Sequence, residues 1–360
     1  MKSPYDSAPA RAFWSRAVSR KWEPTDLVTK GDPFVRRGEK VVSAGSCFAA
    51  NLVPYLENSG FRYLQTEVPP PAFTEIMADN FSYDKFSARY GNIYTVRQLL
   101  QLMKRALGQF QPYEDRWNLP ERFVDPFRPG LRHAARSTQE FDALSRQHLK
   151  SVLRAFTEAD VLIFTLGLTE AWIDSRCGSV FPACPGTVAG SFDSSHHVFH
   201  NFSVSEVVDD LRAFVGLLRS KNPGVRLILT VSPVPLVATA TDDHVLTATL
   251  YSKSVLRAAA GEVANQDTRI TYFPAYEIVT GPQAPEGFFE RDRRNPSRAA
   301  IDAVMRVFLA NCDSASSIDD TPSKPKSNLA ILSGQVTEAE CEEAMQDGHA
   351  YSSPSSVKTI

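Results

Sequence analysis

Strand-length apolar runs alternate with amphipathic stretches of helical period along the middle of the chain. Five runs predict β-strands, at residues 40–44, 61–64, 161–166, 226–231 and 270–273. Amphipathic stretches predict helices at residues 48–59, 139–159, 204–218, 246–264 and 296–309. Because strands and helices alternate along the chain, the pattern predicts an α/β fold. We expect a doubly wound, mostly parallel five-stranded sheet with helices on both faces.

Three stretches depart from this alternation and suggest the domain limits. Residues 1–36 form a predicted N-terminal arm, and residues 37–311 form one α/β domain. Residues 312–360 are rich in Ser, Asp, Thr, Pro and Lys, a composition that predicts a mostly disordered C-terminal tail. Residues 65–136 interrupt the rhythm and read as an irregular insertion, which is either an active-site wall or lid or plain packing.

Composition narrows the class of protein. Hydrophobic residues make up 43% of the chain and charged residues 22%, which allows a buried core. The net charge is -2 and no Lys/Arg-rich run is interleaved with aromatic residues, so nucleic acid is not an expected partner. The apolar runs are far shorter than the roughly 20 residues of a membrane span, and no signal peptide is evident. We therefore expect a cytoplasmic protein without a membrane span, whose five cysteines are free thiols.

Polar residues follow four of the predicted strands. In an open parallel sheet, ligands bind beyond the carboxyl ends of the strands, so these segments are expected to converge on one crevice. The segments are Gly45-Ser46-Cys47, Gly167-Leu168-Thr169-Glu170, residues 232–244 and residues 277–295.

The first segment places a hydroxyl and a thiol at the junction of a strand and a helix. Free backbone N–H groups at a helix start lower the pKa of a thiol and stabilise an oxyanion, so Ser46 or Cys47 could be a nucleophile. The alternative is that Ser46 caps the helix and Cys47 is a small buried residue. Position alone leaves both interpretations open.

Several motifs resemble one known family. Gly45-Ser46-Cys47-Phe48-Ala49 resembles the signature that gives the bacterial GSCFA family its name. Similar later motifs occur at residues 90–94, 165–172, 230–234, 252–253 and 272–278. The family is similar to the SGNH/GDSL esterases, which have a flavodoxin-like, SGNH-type fold and cleave or transfer acyl groups with a nucleophile after the first strand. The resemblance therefore implies an acyl-ester hydrolase or acyltransferase that needs no metal or other cofactor.

The resemblance also implies roles for individual residues. Gly45-Ser46-Cys47 lies over the Gly-Asp-Ser block, which places Cys47 at the nucleophile position and leaves Ser46 as the alternative shifted by one residue. Gly91 and Asn92 fall near the block whose glycine N–H helps to form the oxyanion hole. Gly167-Leu168-Thr169-Glu170 lies over Gly-x-Asn-Asp, so Thr169 stands where the oxyanion-hole asparagine is usual.

The largest departure from the family pattern lies near the C-terminal end of the domain. Residues 292–297 resemble an Asp-x-x-His-Pro block in which Asn295 replaces the histidine, and an amide is not a useful base near neutral pH. His244, which follows the fourth strand, is the predicted substitute base, and Asp292 is predicted to orient it. A solvated His244 is the alternative.

Two further interpretations stay open. His196, His197 and His200 could bind a metal together with a carboxylate, but three such residues on a loop are typical of a polar surface, and no metal site is predicted. The expected substrate is a small-molecule or glycan acyl ester, with O-acetyl groups on a glycan as one candidate. A catalytically silent SGNH-fold module that binds a saccharide or other small ligand is the alternative function, which the Asn295 substitution favours. The sequence leaves the oligomeric state open.

Overall fold

The computed structural model describes residues 3–28, 31–83, 85–131 and 134–313, and the side chains of Cys47 and Asp79 lie outside this description. The described strands are β1 Lys40–Gly45, β2 Arg62–Tyr63, β3 Trp117–Leu119, β4 Arg122–Val124, β5 Val161–Leu166, β6 Glu170–Asp174, β7 Ser179–Phe181, β8 His197–Asn201, β9 Arg226–Val231 and β10 Ile270–Tyr272. The described α-helices are α1 Cys47–Ala50, α2 Leu52–Asn58, α3 Glu75–Asn80, α4 Val96–Ala106, α5 Thr138–Glu158, α6 Val204–Lys221, α7 Val245–Gln266, α8 Ala275–Thr280 and α9 Arg298–Ala310.

Five strands form the central sheet in the order β10-β9-β5-β1-β2, and every neighbouring pair is parallel. Counted along the chain, this is the order 2-1-3-4-5 of a flavodoxin-like doubly wound sheet. The predicted fold class is therefore confirmed. In such sheets the reversal of strand order, here between β1 and β5, marks where a ligand crevice is expected outside their carboxyl ends.

Helices cover both faces of this sheet. On one face, the side chains of Val42 and Phe164 pack with residues of α4, α5, α6 and α7. On the other face, Val41 and Ile163 pack with residues of α2, α8 and α9. Successive residues of a strand point to opposite faces, so a strand buried on both faces is apolar along its whole length. That is why these strands appear in the sequence as unbroken apolar runs.

The predicted elements mostly have their expected bounds, and one predicted helix is interrupted. The strands predicted at 161–166 and 226–231 match β5 and β9 residue for residue, and the helix after the N-cap Ser203 has the expected capping box with Glu206. The helix predicted at 48–59 is instead two short helices, α1 and α2. Pro54 has no N–H to donate to the carbonyl of Ala50, which accounts for the break at Asn51.

The insertion at 65–136 is more regular than its sequence suggested. It contains α4, an eleven-residue helix whose capping box pairs Thr95 with Gln98, and the β3-β4 hairpin. A second, antiparallel sheet follows β5 and has the order β7-β6-β8. The reading of this insertion as irregular was therefore wrong in part.

The predicted tail lies outside the described residues from 314 onward.

The described segments before β1 and after α9 meet at the amino edge of the central sheet. The N–H of Phe34 donates to the carbonyl of Asn311, and the N–H of Asp313 donates to that of Val35. Arg226, the first residue of β9, donates to the carbonyl of Pro33 at 3.0 Å. The domain limits at 36 and 312 stay predictions. Among the described residues, no helix has the length and apolar character to cross a bilayer.

Candidate active site

The crevice at the carboxyl ends of β1 and β5 brings together the first two predicted segments. Ser46 follows β1 and Gly167 follows β5, and the two strands are paired from Val41–Val161 to Gly45–Thr165. A Cβ atom built on Gly167 would lie 3.4 Å from the Cβ of Ser46, so the two residues are in van der Waals range of each other. This is the topological switch point, where doubly wound sheets bind their ligands.

Gly45 is required where it stands. Its φ is +143°, and a Cβ at this position would lie 2.5 Å from the carbonyl oxygen of Thr165 and 2.8 Å from the Cβ of Thr165. Distances under about 3 Å are far inside van der Waals contact, so only glycine lets β1 approach β5 this closely. The close approach fixes where the next residue, Ser46, leaves the strand.

Ser46 is buried, and its hydroxyl makes no hydrogen bond within the described part of the chain. It is 4% exposed, it precedes α1 in the N-cap position, and its side chain makes no capping hydrogen bond. Its Oγ has no hydrogen-bond partner among the described residues. A buried hydroxyl without a partner costs free energy, about 1–3 kcal/mol, so its retention needs a reason outside packing. The backbone of Cys47 begins α1, but its side chain lies outside the description, so the choice of Cys47 as nucleophile stays a prediction.

The segment with Gly91 and Asn92 runs along this same crevice. The N–H of Ile93 donates to the carbonyl of Gly45 at 2.8 Å. The carbonyl of Tyr94 accepts from the N–H groups of both Gly167 and Leu168, at 3.0 and 3.1 Å. Ile93 and Tyr94 thus hold the segment that contains Gly91, at φ +66°, and the buried Asn92 near the ends of β1 and β5, and a role of Gly91 or Asn92 in an oxyanion hole stays a prediction.

Thr169 and Glu170 take part in the walls of the crevice. The Thr169 hydroxyl donates to Oδ1 of Asn201 at 2.6 Å, and its N–H donates to Oγ of Ser252 at 3.0 Å. Both donors are thus already engaged, which argues against Thr169 as an oxyanion donor. Glu170 accepts from the hydroxyl of Thr239 at 2.7 Å and from the N–H of Ala240, and its burial raises the pKa of its carboxyl. It ties the loop after β9 to the loop after β5.

The predicted substitute base, His244, lies at an exposed position. It is the N-cap of α7, and its Nδ1 accepts from the N–H of Leu246 at 3.2 Å. No hydrogen bond or ion pair joins it to Ser46 or Asp292 within the described part of the chain. Nδ1 is thus occupied by a helix cap, which leaves the role of His244 as base a prediction without support from a contact.

Asp292 and Asn295 are bonded to each other in the loop before α9. The Asn295 Nδ2 donates to Oδ2 of Asp292 at 2.6 Å, and the Asn295 N–H donates to Oδ1 at 3.1 Å. In the resemblance to the esterases, Asn295 stands at the position predicted for a histidine, so the Asp292 carboxylate here bonds to an amide. Asp292 therefore orients an amide, and the predicted support of His244 by Asp292 has no contact behind it.

Two α7 residues contact the β5 loop; their sequence was noted only as a family-like motif at 252–253, and no role was predicted for either residue. Ser252 accepts the N–H of Thr169, and Lys253 donates from Nζ to the carbonyl of Gly167 at 2.6 Å. Lys253 is 2% exposed, and no other lysine is buried among the described residues. Both positions lie on the inward stripe of α7 with Thr249 and Leu256, at the helical spacing of three and four residues, which is the signal that could have identified them.

A second cluster of titratable side chains lies in the small sheet. His196 and His197 have their Nε2 atoms 3.0 and 3.3 Å from the same carboxylate oxygen, Oε1 of Glu114. His197 is buried, so the expectation that this histidine is a solvated surface residue was wrong. The three ligand atoms lie within 4.8 Å of one another, as in a metal site.

The hydrogen bonds of this cluster do not fit a metal. His197 Nδ1 accepts the N–H of Asp193 at 3.0 Å, so the neutral ring carries its proton on Nε2, the atom that would have to bind the metal. The Glu114 carboxylate already accepts from Arg176 at 2.5 Å and from the Trp117 indole at 3.0 Å. Burial alone would raise the pKa of Glu114, but hydrogen bonds from Trp117, Arg176 and His196 outweigh it and lower the pKa. We read the cluster as structural.

Comparisons with known proteins place these features in a wider context. An acetyl-xylooligosaccharide esterase variant from Geobacillus Stearmophilus is similar at 15% identity and a TM-score of 0.32, over 78% of this chain and 99% of that chain. A carbohydrate esterase family 3 protein from Talaromyces cellulolyticus is similar at 11% identity and a TM-score of 0.33, over 75% and 93%. A Streptococcus pneumonia protein provisionally assigned as a platelet activating factor is similar at 13% identity and a TM-score of 0.26, over 42% of this chain and 59% of that chain.

The chain thus spans less than two thirds of the length of that last relative. No curated protein sequence matches the chain. The sequence model of the GSCFA family matches residues 40–308, which is most of the chain and includes every strand of the central sheet. The chain belongs to the GSCFA family.

Proposed function

We propose that this protein hydrolyses or transfers carboxylic acyl esters, with a nucleophile at the Ser46–Cys47 junction. One observation carries the proposal: a buried serine hydroxyl without a partner among the described residues lies at the switch point of the sheet, against Gly167. An unsatisfied hydroxyl at the ligand-binding end of a doubly wound sheet is costly for folding and useful for chemistry. Membership of the GSCFA family, through its resemblance to the SGNH/GDSL esterases, supports the same reaction class.

In the proposed reaction, Cys47 or Ser46 attacks the acyl carbon of the ester. The carbonyl π electrons move to the oxygen, and the backbone N–H groups of Cys47 and Gly91 stabilise the resulting oxyanion. The C–O bond to the alcohol then breaks, and the acyl group stays on the enzyme. Water or an acceptor alcohol releases it in a second step, which makes the reaction a hydrolysis or a transfer.

We propose a small acyl group, such as acetyl on a sugar, as the substrate. The glycines at 45 and 167 bring two strand ends and the segment at 91–94 close together around Ser46. Because these backbone segments lie close together around Ser46, the site favours a short acyl chain over a long one.

A silent binding module is the second candidate, and the replacement at Asn295 favours it. Asp292 holds an amide where a hydrolase holds its base, and both donors of Thr169 are engaged within the protein. Such a site would bind a saccharide or another small ligand through backbone and amide groups without turning it over. Turnover of an ester by a defined nucleophile separates this candidate from the first.

The test combines ester turnover with identification of the acylated atom. The purified chain is assayed with p-nitrophenyl acetate and with acetylated xylose, and intact mass spectrometry follows the acetyl group after rapid acid quenching. We expect one acetyl per chain on Cys47 or Ser46, removed by neutral hydroxylamine if it is a thioester. Loss of turnover in Cys47→Ala identifies the thiol, and loss in Ser46→Ala with Cys47→Ala still active identifies the hydroxyl.

Two variants control for indirect effects. Cys184→Ala removes a half-buried thiol whose pKa burial raises to about 11, and Ser220→Ala removes an exposed hydroxyl on α6. Neither variant should change turnover. Unchanged turnover in the double variant Ser46→Ala, Cys47→Ala would falsify the proposed nucleophile, and saccharide binding without any turnover by the unaltered chain would favour the binding module.

A further inference from the structure

The crevice holds one buried cation that no predicted role accounts for. Lys253 lies on the inward stripe of α7, is 2% exposed and extends its Nζ to the carbonyl of Gly167. Lysine is almost never fully buried, because burial removes the hydration of its ammonium. A buried lysine at the ligand-binding end of a sheet therefore needs a functional explanation as much as an unpartnered serine does.

Two contacts fix α7 against the loop that faces Ser46. Ser252 accepts the N–H of Thr169, and the adjacent Lys253 donates to the carbonyl two residues earlier, at Gly167. Gly167 in turn lies against Ser46, within 3.4 Å of its Cβ measured from an ideal Cβ position. Gly167 thus lies between the amine of Lys253 and Ser46. In the free protein no hydrogen bond joins that amine to Ser46 Oγ, a contact that in enzymes often forms only in the substrate complex.

The other candidate bases among the described residues are engaged elsewhere. His244 caps α7 from an exposed position, and Asn295 carries an amide that cannot take a proton. Both carboxylate oxygens of Glu170 accept hydrogen bonds from the loop after β9. His148 bonds to the buried Glu67, and the small sheet holds the other histidines that are described.

We infer that Lys253 is the general base of this site and, in the second half of each step, its general acid. The inference rests on the proposed function, because it assigns the proton acceptor for that nucleophile. Burial favours the neutral amine of a lysine over the ammonium, and lysine replaces histidine as base in serine–lysine enzymes. No metal or cofactor enters the step.

The proton and electron movements balance around the amine. Neutral Lys253 takes the proton of the nucleophile's O–H or S–H as the oxygen or sulfur lone pair forms the bond to the acyl carbon. When the tetrahedral intermediate collapses, the C–O bond to the alcohol breaks and its oxygen receives the proton from the Lys253 ammonium. The amine is then neutral again, and water or an acceptor alcohol repeats the sequence to release the acyl group.

The first test measures labelling of the nucleophile, which does not depend on ester turnover. Iodoacetamide reports on Cys47 and a fluorophosphonate reports on Ser46, with the labelled residue identified by peptide mass spectrometry. We expect Lys253→Met to slow labelling by about 100-fold, the lower end of what a general base contributes. Lys253→Arg keeps a cationic donor for Gly167 but cannot accept a proton, and should be as slow. The matched control, Lys150→Met, removes an exposed lysine from α5 and should label normally.

The second test separates catalysis from a structural role. Lys253→Ala leaves space for a small primary amine, and we expect added methylamine to restore part of the labelling rate, with stronger bases restoring more. A lysine that only holds Gly167 in place would give no such dependence on basicity. Thermal melting of each variant shows whether it folds, and Lys253→Met should fold because it keeps the length of the side chain without the buried charge.

The outcomes distinguish this inference from the proposed function. If labelling requires Lys253 but the unaltered chain turns over no ester, the base assignment holds and the proposed reaction fails. If the unaltered chain turns over esters and Lys253→Met labels and turns over within about threefold of it, the base assignment is overturned while the proposed reaction stands. Labelling of neither Ser46 nor Cys47 in the folded, unaltered chain would overturn the base assignment as well.

Discussion

Two polar regions in this protein, a half-buried cluster around Glu114 and the buried hydroxyl of Ser46, differ in how their hydrogen bonds are used. Around Glu114, the indole of Trp117, the guanidinium of Arg176 and the ring of His196 all contact one carboxylate. At the end of β1, the hydroxyl of Ser46 contacts no described acceptor or donor. The first cluster resembles a metal site by residue type and the second resembles a small packed turn.

This difference in hydrogen-bond partners indicates which of the two regions is the candidate functional site. Residue types alone favour the cluster with two histidines and a glutamate, because these are common metal ligands. The accounting of partners reverses this, since the Glu114 carboxylate already accepts from Trp117, Arg176 and His196. His197 Nε2, like Ser46 Oγ, makes no hydrogen bond among the described residues, but it lies 3.3 Å from that same occupied carboxylate. Substitutions in the Glu114 cluster should therefore lower stability, and substitutions around Ser46 should lower activity or disturb the geometry on which it depends.

The largest expected effect comes from placing a methyl group between the ends of β1 and β5. Gly45→Ala adds a Cβ 2.5 Å from the Thr165 carbonyl at a φ of +143°, and we expect a loss of about 4 kcal/mol in the free energy of unfolding, measured in urea. Gly38→Ala is the matched control, because Gly38 also has a positive φ but nothing within 4 Å of its added Cβ. Equal losses in the two variants would show that the strand approach is not tight.

Acid should destabilise a third buried cluster, in which His148 bonds to Glu67. Burial and the nearby Arg128 lower the pKa of His148 to about 4, below its ordinary value of about 6.5. The folded state therefore keeps the ring neutral while the unfolded state protonates it. The contribution of neutral His148 to the free energy of unfolding is fully present above pH 6.5. About 3 kcal/mol of it is lost as the pH falls towards 4.

Glu67 extends the same trend to lower pH. Burial alone would raise its pKa, but His148 and Arg128 lower the pKa to about 2, so its contribution is lost as the pH falls below about 4.5. Urea unfolding at a series of pH values measures both. His148→Gln should flatten the slope between pH 4 and 6.5, whereas His244→Gln, at an exposed cap, should leave it unchanged. A slope of the opposite sign would contradict the burial of a neutral ring.

A smaller loss is expected when the Glu114 cluster is broken. Glu114→Gln removes the carboxylate charge that both Arg176 and His196 contact. We expect the free energy of unfolding to fall by about 2 kcal/mol and ester turnover to stay unchanged. Glu158→Gln, which removes one member of an exposed pair with Arg154 on α5, should cost less than about 0.5 kcal/mol. Loss of turnover in folded Glu114→Gln would reverse our assignment of the two clusters.

A gain in stability is expected at the crevice. Ser46→Ala and Thr165→Val each remove a buried hydroxyl without a described partner, so each should raise the free energy of unfolding by about 1 kcal/mol. Ser232→Ala is the matched control, because its buried hydroxyl accepts the N–H of Val234 and its removal should destabilise. If Ser46→Ala lost stability as Ser232→Ala does, its hydroxyl would have a structural role.

Metal addition is expected to have no effect. Because His197 Nδ1 accepts a backbone N–H, zinc in molar excess should leave the melting temperature of the folded chain unchanged. Differential scanning fluorimetry with and without a chelator measures this. A zinc-dependent rise that Glu114→Gln abolishes would show that the cluster rearranges to bind metal.

Much of the fold was predictable because its strands are parallel and buried on both faces. The apolar runs at 161–166 and 226–231 reach β5 and β9 without error, and the βα rhythm gives the sheet order through the usual handedness of its crossovers. The small sheet was missed although β6 and β7 form a hairpin across residues 175–178, a turn that Gly178 at φ +76° could have indicated; only the pairing of β6 with β8 is distant in sequence. Helix α4 could have been found, since Thr95 and Gln98 form a capping-box sequence before an apolar run.

The location of the candidate site was more predictable from the sequence than the side chains that line it. The strand-end rule brings Ser46 and Gly167 together without reference to any side-chain contact, whereas Gly91 was placed only by the family resemblance. The burial of Lys253 could not be predicted in the same way, because a lysine within an amphipathic helix is usually solvated. Whether it faces water depends on how α7 packs on the β5 loop, which is a property of the whole domain.

The meeting of Phe34 with Asn311 at the amino edge has a practical consequence. β1 is six residues long, so this edge lies about 20 Å from the end at which Ser46 stands. An affinity tag, a fluorescent protein or a surface anchor joined to either flank would leave the crevice open to a bulky glycan. Since the two flanks are hydrogen-bonded neighbours, a short linker between them would also allow a circular permutant with new ends in an exposed loop.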